Sequence, residues 1–137
     1  MNKKICPLEG GVKMANAVFK FEEEILIVSL SGEVTLLQSN ELKEKIKEEL
    51  TRINTTKLVL DLSQVPLLDS SGLGMLISLF KHVNQKEGII VYTGMTDYVR
   101  KIIGFAKLDK IFSIADSAEL AIEYIKNNKK AIKSGTA

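Results

Sequence analysis

The stretch LVLDLS at residues 58–63, followed after three residues by LLDSSGLG at residues 67–74, decides the fold of this chain. Its first part is short, apolar and rich in branched side chains, which is typical of a strand buried on both faces of a sheet. Its second part contains a polar turn at Asp69 and Ser70, after which apolar residues recur at helical spacing. The stretch therefore predicts a central parallel strand that leads directly into a helix.

The residues on either side of this unit predict further alternating elements. Upstream, two β-rich segments at 16–21 and 25–31 flank an acidic tip and predict a hairpin. The other predicted elements are a helix capped by Ser39, a strand at 57–62, a helix marked by Leu73, Leu76, Ile77, Phe80 and Val83, a strand at 89–93, a short helix between Thr96 and Gly104, a strand at 111–114 and a last helix capped by Asp116. This order predicts an α/β fold, in which a mixed β-sheet (an N-terminal hairpin plus parallel strands) is covered by about four helices.

The chain is expected to contain one domain. Its 137 residues, 45% of them hydrophobic, are enough for a single continuous core. Residues 1–13 have no periodicity and predict a poorly ordered leader, residues 14–126 the domain, and residues 127–137 a frayed basic tail. No internal repeat is visible.

Charge and cysteine content narrow the classes of partner and the compartment. Nineteen basic residues stand against 17 acidic ones, so the surface potential is mixed and nucleic acid is a poor candidate partner. The longest apolar runs are far shorter than the roughly 20 residues of a membrane span, so no direct membrane insertion is expected. The single cysteine, Cys6, fits a reducing compartment, and we expect a cytoplasmic protein.

The junction between strand and helix is the candidate functional site. It brings two hydroxyls, on Ser70 and Ser71, to the start of a helix, where free backbone N–H groups and the helix dipole favour an anion. Gly72 and Gly74 lack side chains, which would let another protein approach the backbone closely. A phosphate on this loop is therefore expected to be well tolerated.

The DSSGLG motif after the LVLDLS strand, together with the order of elements, resembles the STAS domain (sulphate transporter and anti-sigma-factor antagonist), in particular the free-standing bacterial antagonists. The resemblance extends from about Asn16 to Lys126 and implies a single STAS-like domain. In that family the serine directly after the motif aspartate is the phosphoacceptor, which corresponds to Ser70. Ser71 is its neighbour and a secondary candidate.

The resemblance also implies partners and a mechanism. The partners would be an anti-sigma factor that is itself a serine kinase, and a metal-dependent phosphatase that resets the switch. The unphosphorylated antagonist would bind the anti-sigma factor and free the sigma factor, and phosphate on Ser70 would end that binding and so regulate transcription initiation. The residues expected to contact the partner are Asp69, Ser71, Gly72, Leu73, Gly74 and Met75. An exposed apolar patch of Leu67, Leu73 and Met75 would support such an interface.

One position departs from the family pattern and keeps a second function open. Family members commonly carry an acidic residue after the second strand, whereas this chain has Thr35 in the sequence Gly32-Glu33-Val34-Thr35. The alternative function is a non-switching STAS scaffold subunit of a stressosome-type or membrane transport complex.

Enzyme functions find little support in the sequence. Ser70 lacks the glycines of a nucleophile elbow, and the lone histidine, His82, lies about 18 Å along the helix from it and is expected to face solvent. Asp61 is expected to cap the turn after its strand, and Gly72-Leu73-Gly74 lacks the third glycine of a dinucleotide-binding loop. Tyr92, Tyr98 and Phe105 are expected at core edges. We predict no catalytic residue, no cofactor and no metal site.

Overall fold

The computed structural model describes residues 13–14, 17–34 and 36–127. The predicted leader, apart from Lys13, and the predicted tail, apart from Asn127, lie outside the described residues, as does Thr35. Lys13 and Met14 form a two-residue strand that the sequence analysis did not assign. A strand this short carries no periodicity that could reveal it.

A six-stranded mixed sheet forms the centre of the described chain. Its first three strands pair antiparallel, and its third to sixth strands pair parallel. Their order in the sheet is their order in the sequence: β1 (Lys13–Met14), β2 (Ala17–Glu22), β3 (Ile25–Ser31), β4 (Lys57–Gln64), β5 (Ile89–Thr93) and β6 (Ser113–Ala115). The hairpin between β2 and β3 turns at Glu23 and Glu24, whose φ angles of 53° and 67° are the left-handed values that a tight two-residue turn needs.

Four α-helices cover the two faces of the sheet. They are α1 (Leu36–Arg52), α2 (Ser70–Gln85), α3 (Asp97–Phe105) and α4 (Ala118–Asn127), and a 3-10 turn (Leu108–Lys110) follows α3. Helices α1, α2 and α3 pack with the even-numbered residues of β4 and β5, such as Leu60 and Tyr92. Helix α4 packs on the opposite face through Ala121 and Ile125. The predicted mixed sheet with about four helices is thus confirmed.

The packing of the core explains why the sequences of β4 and β5 are nearly continuous apolar runs. Leu58, Val59 and Leu60 are each fully buried, because alternate side chains enter the cores on both faces. Tyr92 is also fully buried, and its hydroxyl donates to the carbonyl of Leu76 at 2.8 Å. Burial raises the pKa of this phenol well above its usual value. Of the three aromatic residues expected at core edges, Tyr92 is therefore deeper than expected.

Two helix starts differ from the sequence prediction. Helix α1 begins at Leu36, so Ser39 lies inside it, where its hydroxyl donates to the Leu36 carbonyl at 2.9 Å. This hydrogen bond to the preceding turn satisfies the serine hydroxyl, so Ser39 does not act as an N-cap. At α4 the capping oxygen comes from Ser117, which accepts from the Leu120 N–H at 3.2 Å, and not from the predicted Asp116.

The predicted cap of α3 is confirmed, and two boundaries nearby are wrong. Thr96 accepts from a backbone N–H of the first turn of α3. Gly104 does not stop the helix, which continues to Phe105. The last strand occupies Ser113–Ala115 and not 111–114, because the N–H groups of Ile111 and Phe112 donate back to the Leu108 carbonyl and so belong to the turn before the strand.

Candidate functional site

Three loops meet at the carboxyl edge of the parallel strands. The loop after β3 is bridged to the loop after β4 through Val34 and Leu68, and the Thr96 hydroxyl, after β5, donates to the Val65 carbonyl at 3.2 Å. Such an edge is where ligands and partners of α/β sheets commonly bind. The arrangement holds the DSSGLG motif in place from both sides.

Asp69 sets the geometry of the motif. It is the N-cap of α2, and its Oδ1 accepts from the backbone N–H groups of Ser71 at 2.9 Å and Gly72 at 3.0 Å. An aspartate is among the best N-cap residues, and its charge favours the positive end of the helix. Ser70 is therefore the first helical residue and not the cap.

Ser70 is exposed to solvent, whereas Ser71 is half-buried. The expectation that free N–H groups at this helix start receive an anion is wrong for Ser71 and Gly72, because Asp69 already occupies both donors. A phosphate on Ser70 would stand beside this carboxylate and face outward. Its charge would therefore be presented to whatever approaches the loop.

The two glycines of the motif have different surroundings. Gly72 is buried, and a Cβ added to it would lie 2.6 Å from Cδ1 of Leu68 and 3.3 Å from the Val34 carbonyl oxygen. Gly74 is exposed, and an added Cβ would meet nothing within 4 Å. Close approach by a partner is therefore open at Gly74, while Gly72 serves internal packing.

The predicted contact surface is partly wrong at Met75. Its side chain is only 2% exposed and belongs to the core stripe of α2, so it cannot reach a partner. Leu73, which was expected in the core and in the contact surface, is half-buried and packs against the core from its edge. The buried stripe is set by Gly72, Met75, Leu76, Leu79 and Val83.

A groove of about 210 Å³ borders the motif, and part of its lining was missed by the sequence analysis. It is lined by Glu33, Val34, Leu67, Leu68, Asp69 and Tyr98. Tyr98 is 48% exposed and not at a core edge, and Leu67 is 43% exposed as expected.

His82 lies far from this groove. It was expected to face solvent, but it is half-buried. It borders a cavity of about 100 Å³ between the carboxyl ends of α1 and α2, and its Nε2 is buried without a hydrogen-bond partner among the described residues. Desolvation, followed by the charges of Lys47 and Lys86, lowers the pKa of His82 below its usual value of 6.5. The histidine therefore belongs to helix packing.

The part of the chain that the structure describes offers no second kind of site of the two following types. It contains no group of three or more His, Cys, Asp or Glu residues arranged for a metal ion. None of its helices has the length and apolar character needed to cross a membrane. Asp61 accepts from the Ser63 N–H at 3.0 Å, as expected of a residue that caps the turn after its strand.

Comparisons with known proteins agree with this architecture. A model of the STAS domain family matches residues 16–121. A relative from Paenibacillus polymyxa, named anti-sigma F factor antagonist, is 32% identical over 93 residues, which span 68% of this chain and 80% of the relative.

Solved structures agree in fold at lower identity. A crystal structure of an anti-sigma factor antagonist from Mycobacterium paratuberculosis has a TM-score of 0.72 at 24% identity and covers 80% of this chain and 92% of its own. The Bacillus cell fate determinant SpoIIAA in its phosphorylated form has a TM-score of 0.62 at 21% identity, covering 78% of this chain and 98% of its own. At these sequence identities the structural similarity shows only that the fold is shared. With the family model matching most of its length and the sheet and helices arranged as that family's are, the chain belongs to the STAS domain family.

Proposed function

We propose that this chain is an anti-sigma-factor antagonist that binds an anti-sigma factor serine kinase when Ser70 is unphosphorylated and is released when Ser70 is phosphorylated. It acts as a binding regulator and not as an enzyme. The observation that carries the proposal is the exposed Ser70 hydroxyl, held directly after the capping Asp69 at the border of an apolar groove. The name of the Paenibacillus relative supports the same function.

The surroundings of Ser70 suit a protein partner. Exposed apolar side chains of Leu67 and Tyr98 come from two different segments and line the same groove beside the motif. Large exposed apolar groups that cluster at one edge are typical of protein interfaces. The carboxylates of Glu33 and Asp69 line the groove between them, so a complementary partner would bring a basic side chain.

Phosphorylation would need no catalytic group from this chain. The kinase transfers the γ-phosphoryl group of ATP to Oγ of Ser70, and the products are phosphoserine, ADP and the proton of the hydroxyl. Base and metal come from the kinase. A resetting phosphatase adds water across the phosphate ester, which restores the hydroxyl and releases inorganic phosphate.

The added phosphate would oppose binding by charge and by desolvation. It carries about −1.5 to −2 charges at neutral pH and would stand next to the Asp69 carboxylate. Because Asp69 already takes the N–H groups of Ser71 and Gly72, those donors cannot neutralise the phosphate. A loss of about 3 to 4 kcal/mol of binding free energy would weaken the complex several hundredfold.

The test combines phosphorylation and affinity. The protein is incubated with ATP and the candidate anti-sigma kinase from the same cell, and the product is examined by intact-mass spectrometry with peptide mapping. We expect one phosphate, on Ser70. Affinity for the kinase, measured by calorimetry, should fall several hundredfold for Ser70→Asp and stay near the wild-type value for Ser70→Ala.

The neighbouring hydroxyl supplies the matched control. Ser71→Ala should still take up one phosphate, on Ser70, since Ser71 is half-buried and Ser70 is exposed. Equal binding by Ser70→Asp and Ser70→Ala would overturn the switch. Binding without any phosphorylation would instead favour a scaffold subunit, the function that the family departure at Thr35 keeps open.

A further inference from the structure

The loop that leads to Ser70 is fixed to its neighbours at two points. On one side Leu68 forms a parallel β-bridge with Val34, which is a contact between two backbones. On the other side the carbonyl of Val65 accepts a hydrogen bond from the Thr96 hydroxyl at 3.2 Å, and we call this hydrogen bond the tether. The tether depends on one side chain, so a single substitution can remove it while the β-bridge stays in place.

The Thr96 hydroxyl has a second task at the start of α3. Thr96 is the N-cap of that helix, and its hydroxyl accepts from the N–H of Val99 at 3.4 Å. A hydroxyl can accept one hydrogen bond and donate another at the same time, which a carboxylate cannot do. One oxygen atom therefore joins the first turn of α3 to the loop before Ser70.

The tether also holds two walls of the groove together. Leu67 and Tyr98, which line the groove, lie two residues after Val65 and Thr96 in the chain. Val65 is fully buried, and Pro66 after it has a fixed φ, so this part of the loop has few ways to move while the carbonyl is held. The tether therefore sets the separation between the wall on the loop and the wall on α3.

We propose that Thr96 is a positioning residue for the phosphorylation of Ser70. Its hydroxyl holds the loop so that the kinase meets the Ser70 hydroxyl and the side chain of Tyr98 in one arrangement. The rate of a group transfer depends strongly on such placement, because a small displacement of the acceptor lowers it. The role of Thr96 in phosphorylation rests on the proposed function, whereas its hold on the loop does not.

Three substitutions of Thr96 separate the two tasks of the hydroxyl. Thr96→Asp keeps the cap, since aspartate is a stronger N-cap than threonine, but its carboxylate has no proton to donate to the Val65 carbonyl. Thr96→Val removes both hydrogen bonds and adds no charge. Thr96→Ser keeps the hydroxyl and with it both hydrogen bonds.

The rate of phosphorylation should follow the donor and not the cap. We expect kcat for Ser70 to fall about three- to tenfold in both Thr96→Asp and Thr96→Val, which is the factor that corresponds to one hydrogen bond, while KM changes less. Thr96→Ser should restore the wild-type kcat. Tyr98→Ala, which removes contact surface and leaves the tether, should instead raise KM with little change in kcat.

A measurement on the free protein tests the hold on the loop without a kinase. Backbone amide order parameters of Val65, Leu67 and Ser70, obtained from NMR relaxation, should fall in Thr96→Asp and Thr96→Val and stay at the wild-type values in Thr96→Ser. Ser117→Asp is the matched control, because Ser117 accepts a capping hydrogen bond at the start of α4 and its replacement leaves the tether intact. This control should change neither the order parameters nor the phosphorylation rate.

Three outcomes would contradict the proposal. Wild-type kinetics in Thr96→Asp would mean that the hydroxyl is needed only as a cap. A slow Thr96→Asp beside a Thr96→Val with wild-type kinetics would mean that the added charge, and not the lost donor, is responsible. Unchanged order parameters in both variants would disprove the hold on the loop. If the loop loosens as expected but the kinase does not phosphorylate wild-type Ser70, the proposed function and the role of Thr96 in it are wrong, while the hold on the loop is confirmed.

Discussion

Gly72 and Gly74 occupy similar positions in the motif, yet their side-chain space differs. We expect Gly72→Ala to lower the free energy of unfolding by about 1 to 3 kcal/mol, because its methyl group would press on the buried Leu68 side chain. Gly74→Ala, in open space on the same helix, should raise it by about 0.5 to 1 kcal/mol. Urea denaturation of the two variants measures both values.

The two variants control each other. Both add one methyl group to α2, so a shared effect would reflect helix propensity and not contact. Equal free energies of unfolding for the two would contradict the packing role assigned to Gly72. Relative to its effect on the free energy of unfolding, Gly74→Ala should change the affinity for a partner near Ser70 more than Gly72→Ala does. Only the methyl group at position 74 points away from the core.

The residues of the site differ in how far the sequence could predict them. Asp69 and Ser70 could be placed at the start of α2 because local signals mark a helix start, but the sequence did not predict that Asp69 is the cap. Met75 was misplaced because the apolar residues of α2 permit two helix phases, and only the sheet decides which of them is buried. Glu33 and Tyr98 reach the groove from other loops, so no local pattern connects them with Ser70.

At the scale of elements, the contact between α1 and α2 should respond to pH through His82. Its pKa is lowered in the folded protein, first by desolvation and then by Lys47 and Lys86, while Glu44 acts in the opposite direction. The unfolded chain therefore binds a proton more readily than the folded one. The corresponding stability is present above the usual pKa of 6.5 and is lost as the pH falls through and below that value.

Chemical denaturation of the wild type and His82→Gln at a series of pH values between about 7.5 and 5.5 measures this effect. The wild type should lose more stability than the variant as the pH falls. His82 is the only histidine of the sequence, so no second imidazole contributes to the difference. If the free energy of unfolding falls equally with pH in the two proteins, the prediction is wrong, and the buried Nε2 of His82 then has a hydrogen-bond partner in solution.

The elements themselves were largely predictable, and their ends were less so. The hairpin, β4, β5 and the Thr96 cap follow from alternation, apolar runs and one capping hydroxyl. Ser39 was misread as a cap because a serine inside a helix can bond back to the preceding turn, which the sequence does not distinguish. Ile111 and Phe112, which follow the 3-10 turn, are typical strand residues in the sequence, but their N–H groups donate back to the Leu108 carbonyl and not to a neighbouring strand.

At the scale of the whole molecule, the proposed switch should leave the fold unchanged. Ser70→Asp adds a charge at the positive end of α2, which is favourable, beside Asp69, which is unfavourable. We expect the free energy of unfolding to stay within about 1 kcal/mol of the wild-type value. Denaturation curves together with amide NMR spectra measure this.

Amide shifts in Ser70→Asp should stay confined to the three loops at the carboxyl edge of the sheet. Ser70→Ala is the reference for the loss of the hydroxyl alone. Widespread shifts in β2 or α4, or a large change in stability, would indicate a switch that works by refolding and not by blocking an interface.

The order of the strands has a further consequence for how the molecule forms. Each strand of the sheet pairs with the strand that precedes it in the chain, so none has to be inserted between two that are already paired. Pairings between successive segments close short loops, which costs less entropy than joining distant ones. During synthesis on the ribosome the sheet can grow at one edge as the chain emerges, and the Ser70 loop is flanked by its neighbours once β5 and α3 have been released, before β6 and α4 have emerged.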